Sequence, residues 1–314
     1  MGKNIRWVAP NSLVEISCRC IQARFLLRPS PELNEIFLGV LIHALRDSGI
    51  RIHYIFVMSG HYHFLATVPS TGAMAKAMES LQTNLSKEIG RLHDWPGTLW
   101  SGPYKCQIVD DDEATQVARL EYLLAQSCAA GLTSKPEEWP GIHAVDALLE
   151  GRPLVGKWIS RGSQWAARNR KGADSSDRAH SERMELTLDP LPCWAGLSEE
   201  ERRERVAYIL ARIEETTLVR HAADGTRPAG RRKILAIDPH FRPDEAKSSP
   251  EPRVLARDPA RRRRLLEAIS AVVAAFREAA EELAEGNGLV RFPRGTFPPG
   301  LPYVPTVSDL LAGG

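Results

Sequence analysis

The sequence lacks the cysteine spacing of a zinc ribbon or a disulfide framework. Its five cysteines are odd in number and form no CxxC pair, so neither kind of site is expected. It also has no run of about 20 apolar residues, the length that a membrane-spanning helix needs. The first residues, MGKNIRWVAP, lack the apolar core of a signal peptide. We therefore expect a cytoplasmic protein.

A large excess of charge of either sign is also missing, because the net charge is only +2. Lys and Arg are nevertheless clustered in three stretches, at residues 161–171, 227–233 and 257–264. Such stretches are usually solvated surface, but several in one chain favour a polyanionic partner. We predict that the chain has two parts. Residues 1–150 form the first part, and residues 151–314 form a basic, mostly α-helical extension with irregular Pro-rich segments. The last of these segments is predicted to be an extended tail.

Up to about residue 150 the sequence alternates between strand and helix patterns. Two helices are predicted from apolar residues at three- and four-residue spacing, one capped by Ser30 and one that includes Met74 to Leu92. Four apolar segments are typical of strands: Leu13–Cys20, Arg51–Met58, His61–Val68 and Tyr104–Val109. The order βαββαβ predicts an α+β, ferredoxin-like fold, in which an antiparallel sheet carries helices on one face.

The third predicted strand carries two histidines, His61 and His63, separated by one residue. Residues two apart on a strand point to the same face of the sheet, so both imidazoles would project together and could bind one metal ion. An ordinary surface or half-buried pair has the same spacing. The spacing alone therefore does not choose between a metal site and plain packing.

A further helix, predicted over residues 112–130, carries a tyrosine away from its apolar stripe. Tyr122 and Gln126 lie one turn apart on the polar side, and Arg119 lies one turn before them. A tyrosine in a helix usually packs in the core or at its rim. That role does not explain a tyrosine with two polar neighbours, so Tyr122 is a candidate functional residue.

Four stretches, in this order, resemble the REP-associated tyrosine transposases, which belong to the HUH superfamily of single-strand transposases and nucleases. They are the first strand with Arg19 and Arg24, VMSGHYHFLATV, GTLWSGPYK, and LEYLLAQSCAAGL with the Trp139-Pro140 segment after it. The resemblance extends over about residues 5–147. It implies a ferredoxin-like catalytic domain, in agreement with the order of the predicted elements.

The resemblance also implies roles for single residues. His61 and His63 match the metal-binding histidines, Gln126 matches the third ligand, and Tyr122 matches the catalytic tyrosine. Such ligands suit Mg²⁺ or Mn²⁺ and leave coordination positions open for phosphate and water. The implied reaction is metal-dependent nicking and joining of single-stranded or hairpin DNA through a 5′-phosphotyrosine link. The implied location is cytoplasmic and nucleoid-associated, and both a monomer and a homodimer remain open.

Candidate DNA contacts follow from the same resemblance and from charge. Lys and Arg side chains would contact phosphates, and two aromatic side chains could stack on unpaired bases. Core packing is an equal alternative for the aromatic residues, and a solvated surface role is an alternative for each cation. The candidates are Arg19, Arg24, Lys87, Arg91, Trp100, Tyr104, Lys105 and Arg119.

Three departures from the family pattern concern DNA recognition. Ser59-Gly60 replaces Pro-Asn, Pro103 replaces an arginine, and LLAQSCAAGL replaces the usual IELNPVRAGL. The candidate ligands and nucleophile are all present. Two alternatives stay open: a domesticated relative that binds hairpin or single-stranded nucleic acid without cutting it, and an RRM-like RNA-binding module, whose paired sheet-face aromatics are not evident here.

Overall fold

The computed structural model describes residues 5–244 and 252–299 of the chain. Residues 300–314, which include the last part of the predicted Pro-rich tail at 292–305, lie outside this description. The strands within the described residues are β1 (Ser12–Arg19), β2 (Arg51–Met58), β3 (His61–Val68), β4 (Lys105–Val109), β5 (Leu154–Ile159), β6 (Ser181–Leu186) and β7 (Val254–Leu255). The helices are α1 (Pro31–Leu45), α2 (Thr71–Leu92), α3 (Glu113–Leu124), α4 (Gln126–Ala129), α5 (Val145–Glu150), α6 (Arg161–Arg168), α7 (Glu199–Ala223), α8 (Gly230–Ala236) and α9 (Pro259–Ala284).

The main sheet has the strand order β2-β3-β1-β4-β7. Its first four strands are antiparallel to their neighbours, and β7 is added at the edge in parallel with β4. Both βαβ units are split, because each has a strand of the other unit between its own two strands. The predicted α+β, ferredoxin-like fold is therefore confirmed, and the predicted limits of β2 and β3 agree with the structure.

Helices α1 and α2 cover one face of this sheet. Ser30 caps α1 as predicted, since its hydroxyl accepts a hydrogen bond from the amide of Leu33 at 3.1 Å. Phe37 of α1 packs edge-on against Tyr62, with ring centroids 5.6 Å apart. Because Tyr62 lies between the two histidines along β3, the histidines project from the opposite face.

The histidine face is partly covered by the chain that follows β4. Trp139 is fully buried, lies 5.9 Å from Phe56 and donates from its indole nitrogen to the Val57 carbonyl at 2.9 Å. The amide of Val57 in turn donates to the carbonyl of Ile142 at 3.0 Å. These bonds satisfy backbone groups at the outer edge of β2 and attach the segment after α3 to the sheet.

Residues after 150 pack closely on the preceding ones. Strand β7 extends the main sheet, α7 lies along α3 and α4, and the β5–β6 hairpin packs on α1. The sequence predicted a mostly α-helical extension with irregular Pro-rich segments, so the β5–β6 strand pair was missed. The division at residue 150 stays a prediction. Within the described ranges no helix is both long enough and apolar enough to span a membrane.

Two glycines allow the hairpin to approach α1. A Cβ at Gly39 would overlap the backbone carbonyl of Lys157 and lie 2.6 Å from the amide nitrogen of Trp158. A Cβ at Gly156 would in turn overlap the backbone of α1. The contact is therefore backbone against backbone, which only glycine permits.

We predict that Gly39→Ala lowers the free energy of unfolding by about 2 kcal/mol, because overpacking outweighs the better helix propensity of alanine. Urea unfolding measures this change. Gly196→Ala is the control, since a Cβ there has no neighbour within 4 Å among the described residues. Equal stability of Gly39→Ala and wild type would contradict the close contact.

Candidate functional site

The two histidines lie side by side at the start of β3. Their ring centroids are 5.0 Å apart and the ring planes are nearly perpendicular, at 86°. In the neighbouring strand β1, Arg19 lies opposite His61 and Ser17 lies opposite His63. Lys105 of β4 is in turn paired with Ser17. The strand register therefore brings two imidazoles and two cationic residues to one face of the sheet.

The same face carries a buried carboxylate that sequence reasoning missed. Glu15 of β1 is only 1% exposed, and its Oε1 lies 2.7 Å from Nδ1 of His63. Its Oε2 accepts a hydrogen bond from Nε of Arg119 on α3. The only signal in the sequence was a charged residue inside an apolar strand, two positions before Ser17 and therefore on the same face.

Burial alone would raise the pKa of Glu15. The hydrogen bonds and charges of His63 and Arg119 outweigh it, so the pKa lies below its usual value and the carboxylate is ionised. Burial lowers the pKa of His61 to about 3, with smaller contributions from the charges of His63 and Arg19. His61 is therefore neutral, which is the form that binds a metal ion.

Tyr122 lies on α3 at the surface. Its side chain is 51% exposed, and the guanidinium of Arg119 lies 4.1 Å from the centre of its ring. Arg119 thus touches Tyr122 on one side and Glu15 on the other. Contacts therefore run without interruption from His63 through Glu15 and Arg119 to Tyr122.

The helix after Tyr122 is broken, which the sequence did not indicate. Helix α3 ends at Leu124, Ala125 has ψ −6°, and Gln126 begins the short α4. The prediction of one unbroken helix over residues 112–130 is therefore wrong at Ala125. The break accompanies an inward turn of Ser127, whose hydroxyl accepts a buried 2.8 Å hydrogen bond from Thr133. Gln126 is therefore the first residue of α4, on the other side of this break from Tyr122.

The residues present fit part of a metal site. No group of three or more His, Cys, Asp or Glu within residues 5–244 and 252–299 could hold a metal ion. The histidine pair supplies two nitrogen ligands, since Glu15 engages Nδ1 of His63 and leaves its Nε2 for a metal. The Gln126 amide or a substrate phosphate would have to complete the coordination. This donor set suits a weakly held Mg²⁺ or Mn²⁺.

The predicted cationic contacts are divided between the two sides of the sheet. Arg19 and Lys105 are exposed on the histidine side. Arg24 donates to the His240 carbonyl at 2.6 Å, so protein groups already contact its guanidinium. Lys87 and Arg91 lie on α2, which covers the opposite face. The structure therefore brings Arg19 and Lys105 to the histidines and places Lys87 and Arg91 away from them.

The two aromatic candidates pack against the protein. Tyr104 is buried, with the guanidinium of Arg6 4.3 Å from its ring centre. Trp100 lies edge-on to Tyr62 at 5.5 Å and donates to the Gln82 carbonyl at 3.0 Å. Tyr62 belongs to the helix-covered face. These contacts favour core packing over base stacking for both residues.

Helix α7 lies along α3, the helix that carries Tyr122, and along the short α4 after it. Three arginines of α7, spaced seven and eight residues apart, reach the neighbouring helices at corresponding intervals. The contacts are Arg205 with Glu113, Arg212 with Glu121 at 3.3 Å, and Arg220 with the carbonyls of Cys128 at 2.5 Å and Ala129 at 3.2 Å. The extension therefore fixes α3 and α4 to the body of the same chain.

Comparison with known proteins gives one family match. Residues 23–124, less than half of the chain, match the family described as "Transposase IS200 like". No curated protein matches the chain.

Two solved structures are similar to parts of the chain. One, described as a REP-associated tyrosine transposase bound to a REP hairpin, is 12% identical, covers 59% of this chain and 99% of its own, and has a TM-score of 0.36. The other, a putative transposase from Deinococcus radiodurans R1, is 16% identical, covers 40% of this chain and 98% of its own, and has a TM-score of 0.28. At such low TM-scores neither likeness supports a conclusion about this chain.

We predict that Arg220→Ala loosens α4, the short helix that follows the helix of Tyr122. The two α4 carbonyls lose a charged donor that is partly exposed, which should lower the free energy of unfolding by about 1 kcal/mol. Native-state hydrogen exchange should show faster exchange of the Ala129 and Ala130 amides. Arg203→Ala, on the exposed side of α7, is the control, and unchanged exchange in Arg220→Ala would contradict the support by α7.

Proposed function

We propose that this chain, whose residues 23–124 match the IS200-like transposase family, nicks and joins single-stranded DNA with Tyr122 as the nucleophile. The proposed partner is single-stranded or hairpin DNA, and the proposed cofactor is Mg²⁺ or Mn²⁺ at His61 and His63. Gln126 is the proposed third ligand.

One observation carries the proposal, namely the contact between the two parts of the candidate site. His63 and Tyr122 are far apart in sequence, yet both are tied to the buried Glu15, the first directly and the second through Arg119. A histidine pair that served only for packing would not need such a link to an exposed tyrosine. The link therefore supports a shared role for the strand and the helix.

The exposed phenol of Tyr122 is accessible to a large substrate. In the proposed step its oxygen attacks the phosphorus in line, the new oxygen–phosphorus bond forms, and the bond to the 3′ oxygen breaks. The phenolic proton ends on the departing 3′-OH. The phosphate is then bonded to Tyr122 through the phenolic oxygen and to the DNA through the 5′ oxygen. Attack by a 3′-OH reverses the step, and no nucleotide is needed because the number of phosphodiester bonds is conserved.

The surroundings of Tyr122 suit this role. The Arg119 guanidinium holds the tyrosine ring by a cation–π contact, and Arg19 and Lys105 supply positive charge beside the histidines. A divalent ion bound at the histidines would polarise the scissile phosphate and offset the charge that develops on it. The protein residues would thus orient the ring, the phosphate and the metal ligands toward one another.

We predict that hairpin-containing single-stranded DNA and Mn²⁺ give a covalent adduct that survives denaturation, and that Tyr122→Phe abolishes it. Gel electrophoresis of labelled DNA measures the adduct. Tyr208→Phe is a matched control, because Tyr208 is 65% exposed and also lies near an arginine, with Arg212 at 5.9 Å. An adduct that persists in Tyr122→Phe would refute the nucleophile, and binding without any adduct would favour the non-cleaving alternative.

We predict that the adduct depends on a metal ion held by the histidines. EDTA should abolish its formation, Mn²⁺ or Mg²⁺ should restore it, and His61→Ala should raise the Mn²⁺ concentration needed for half-maximal rate by about tenfold or more, since a ligand is lost. His180→Ala is the control, because that exposed ring bonds to the Asp174 carbonyl in the β5–β6 region. Full activity in EDTA would exclude the proposed metal.

A further inference from the structure

We propose that Glu15 is the positioning residue that fixes the metal-binding half of the site relative to the nucleophile half. It holds the ring of His63 in one orientation and anchors Arg119, against which the ring of Tyr122 lies. The inference rests on the proposed function, because it takes His63 as a ligand and Tyr122 as the nucleophile. Glu15 itself would touch neither the metal nor the DNA.

Both oxygens of Glu15 are used, and by different elements. Oε1 bonds to His63 on the adjacent strand, and Oε2 bonds to Arg119 on α3. Glu15 is 1% exposed and the Arg119 side chain is 16% exposed, so water has little access to the carboxylate. A buried carboxylate is tolerated only when its oxygens are satisfied in this way. The bond to each partner therefore constrains where the other partner can lie.

The bond to His63 decides which nitrogen of that ring can bind a metal. Oε2 of Glu15 accepts from Arg119, and Oε1 lies 2.7 Å from Nδ1 of His63, so Nδ1 is the ring nitrogen that donates its proton to Glu15. Nε2 is then the atom with a free lone pair. A carboxylate behind a ligand histidine fixes the tautomer and the ring orientation in this manner.

The bond to Arg119 decides where the nucleophile lies. Tyr122 is half exposed, and the Arg119 guanidinium is the charged group that covers its ring. The Nε atom of Arg119 faces Glu15, so the plane of the guanidinium is oriented by that bond while it packs on the tyrosine. Without Glu15 the arginine would be free to turn toward solvent, and the tyrosine ring would lose its support.

Glu15→Gln tests this assignment with a nearly isosteric change. A glutamine has one accepting oxygen and one donating amide nitrogen. Its oxygen can keep Arg119 only if its nitrogen donates to an unprotonated Nδ1, which moves the His63 proton to Nε2, and otherwise Arg119 loses its partner. We expect the Kd for Mn²⁺, measured by titration calorimetry without DNA, to rise about 10–100-fold. At saturating Mn²⁺ the rate of adduct formation should still fall by about tenfold or more, because the nucleophile is misplaced.

The ring nitrogens of His63 give a second, spectroscopic readout. In ¹⁵N-labelled wild-type protein the Nδ1 signal of His63 should have the chemical shift of a protonated nitrogen and the Nε2 signal that of an unprotonated one. In Glu15→Gln the two signals should move toward a mixture of tautomers. A residue that only stabilised the fold would not change this tautomer.

Glu88→Gln is the matched control for lost stability. Glu88 is also buried and paired with two arginines, Arg91 and Arg161, but it lies on α2, on the other side of the sheet. It should lower the melting temperature without changing the Mn²⁺ affinity or the tautomer of His63. If Glu15→Gln does not fold, the double variant Glu15→Gln, Arg119→Gln removes the unpaired charge, and it should show the same weakened Mn²⁺ binding.

A folded Glu15 variant would overturn the inference if its Mn²⁺ Kd and adduct rate lay within about twofold of wild type and its His63 tautomer were unchanged. The proposed function fails separately, through a wild type that gives no Tyr122-dependent adduct. Absence of Mn²⁺ binding in the wild type would overturn both. Loss of the adduct alone would leave the effect of Glu15 on the His63 tautomer to decide the inference.

Discussion

A buried carboxylate between a strand and a helix is the constraint on which the candidate site depends. Glu15 has little access to water, so its carboxylate depends on both His63 and Arg119 as partners. His63 belongs to the β2–β3 hairpin and Arg119 to the helix that carries Tyr122. Because one side chain joins them, neither half can move far without leaving a buried charge unpaired.

The rest of the fold keeps that helix within reach of the sheet. Trp139 ties the following segment to β2, and arginines of α7 contact α3 and α4 on their outer side. The sheet provides the other half through its register, which sets Ser17 and Arg19 of β1 opposite the two histidines. Residues beyond 150 thus contribute to the geometry of the site, and not only positive charge.

The ferredoxin-like core was predictable from the sequence because its strands and helices have strong, separate periodicities. The histidine pair could also be placed on one face, since alternation along a strand is a local property. Glu15 could not be found in this way, because its partners depend on strand pairing and helix packing across long sequence separations. The break at Ala125 was missed for a similar reason, as the segment LLAQSCAAGL contains good helix formers and Thr133 acts from outside it.

The predictions of DNA contacts from charge and aromatic character agreed least well with the structure. Lys87 and Arg91 are basic residues like Arg19 and Lys105, so the sequence did not distinguish the two pairs. Helix α2 nevertheless places Lys87 and Arg91 on the side of the sheet away from the histidines. Tyr104 and Trp100 were open between stacking and packing, and their burial and ring contacts favour packing. Which side of a sheet a residue occupies depends on the whole topology, and a local pattern does not contain it.

The central claim is that the strand histidines and the helix tyrosine form one site within one chain. Mixing the Tyr122→Phe and His61→Ala proteins tests this directly, with adduct formation on labelled single-stranded DNA as the readout and wild type as the reference. The account predicts that the mixture forms no more adduct than the two variants measured separately. Restoration of the adduct in the mixture would show that the two halves come from different chains and would contradict the account.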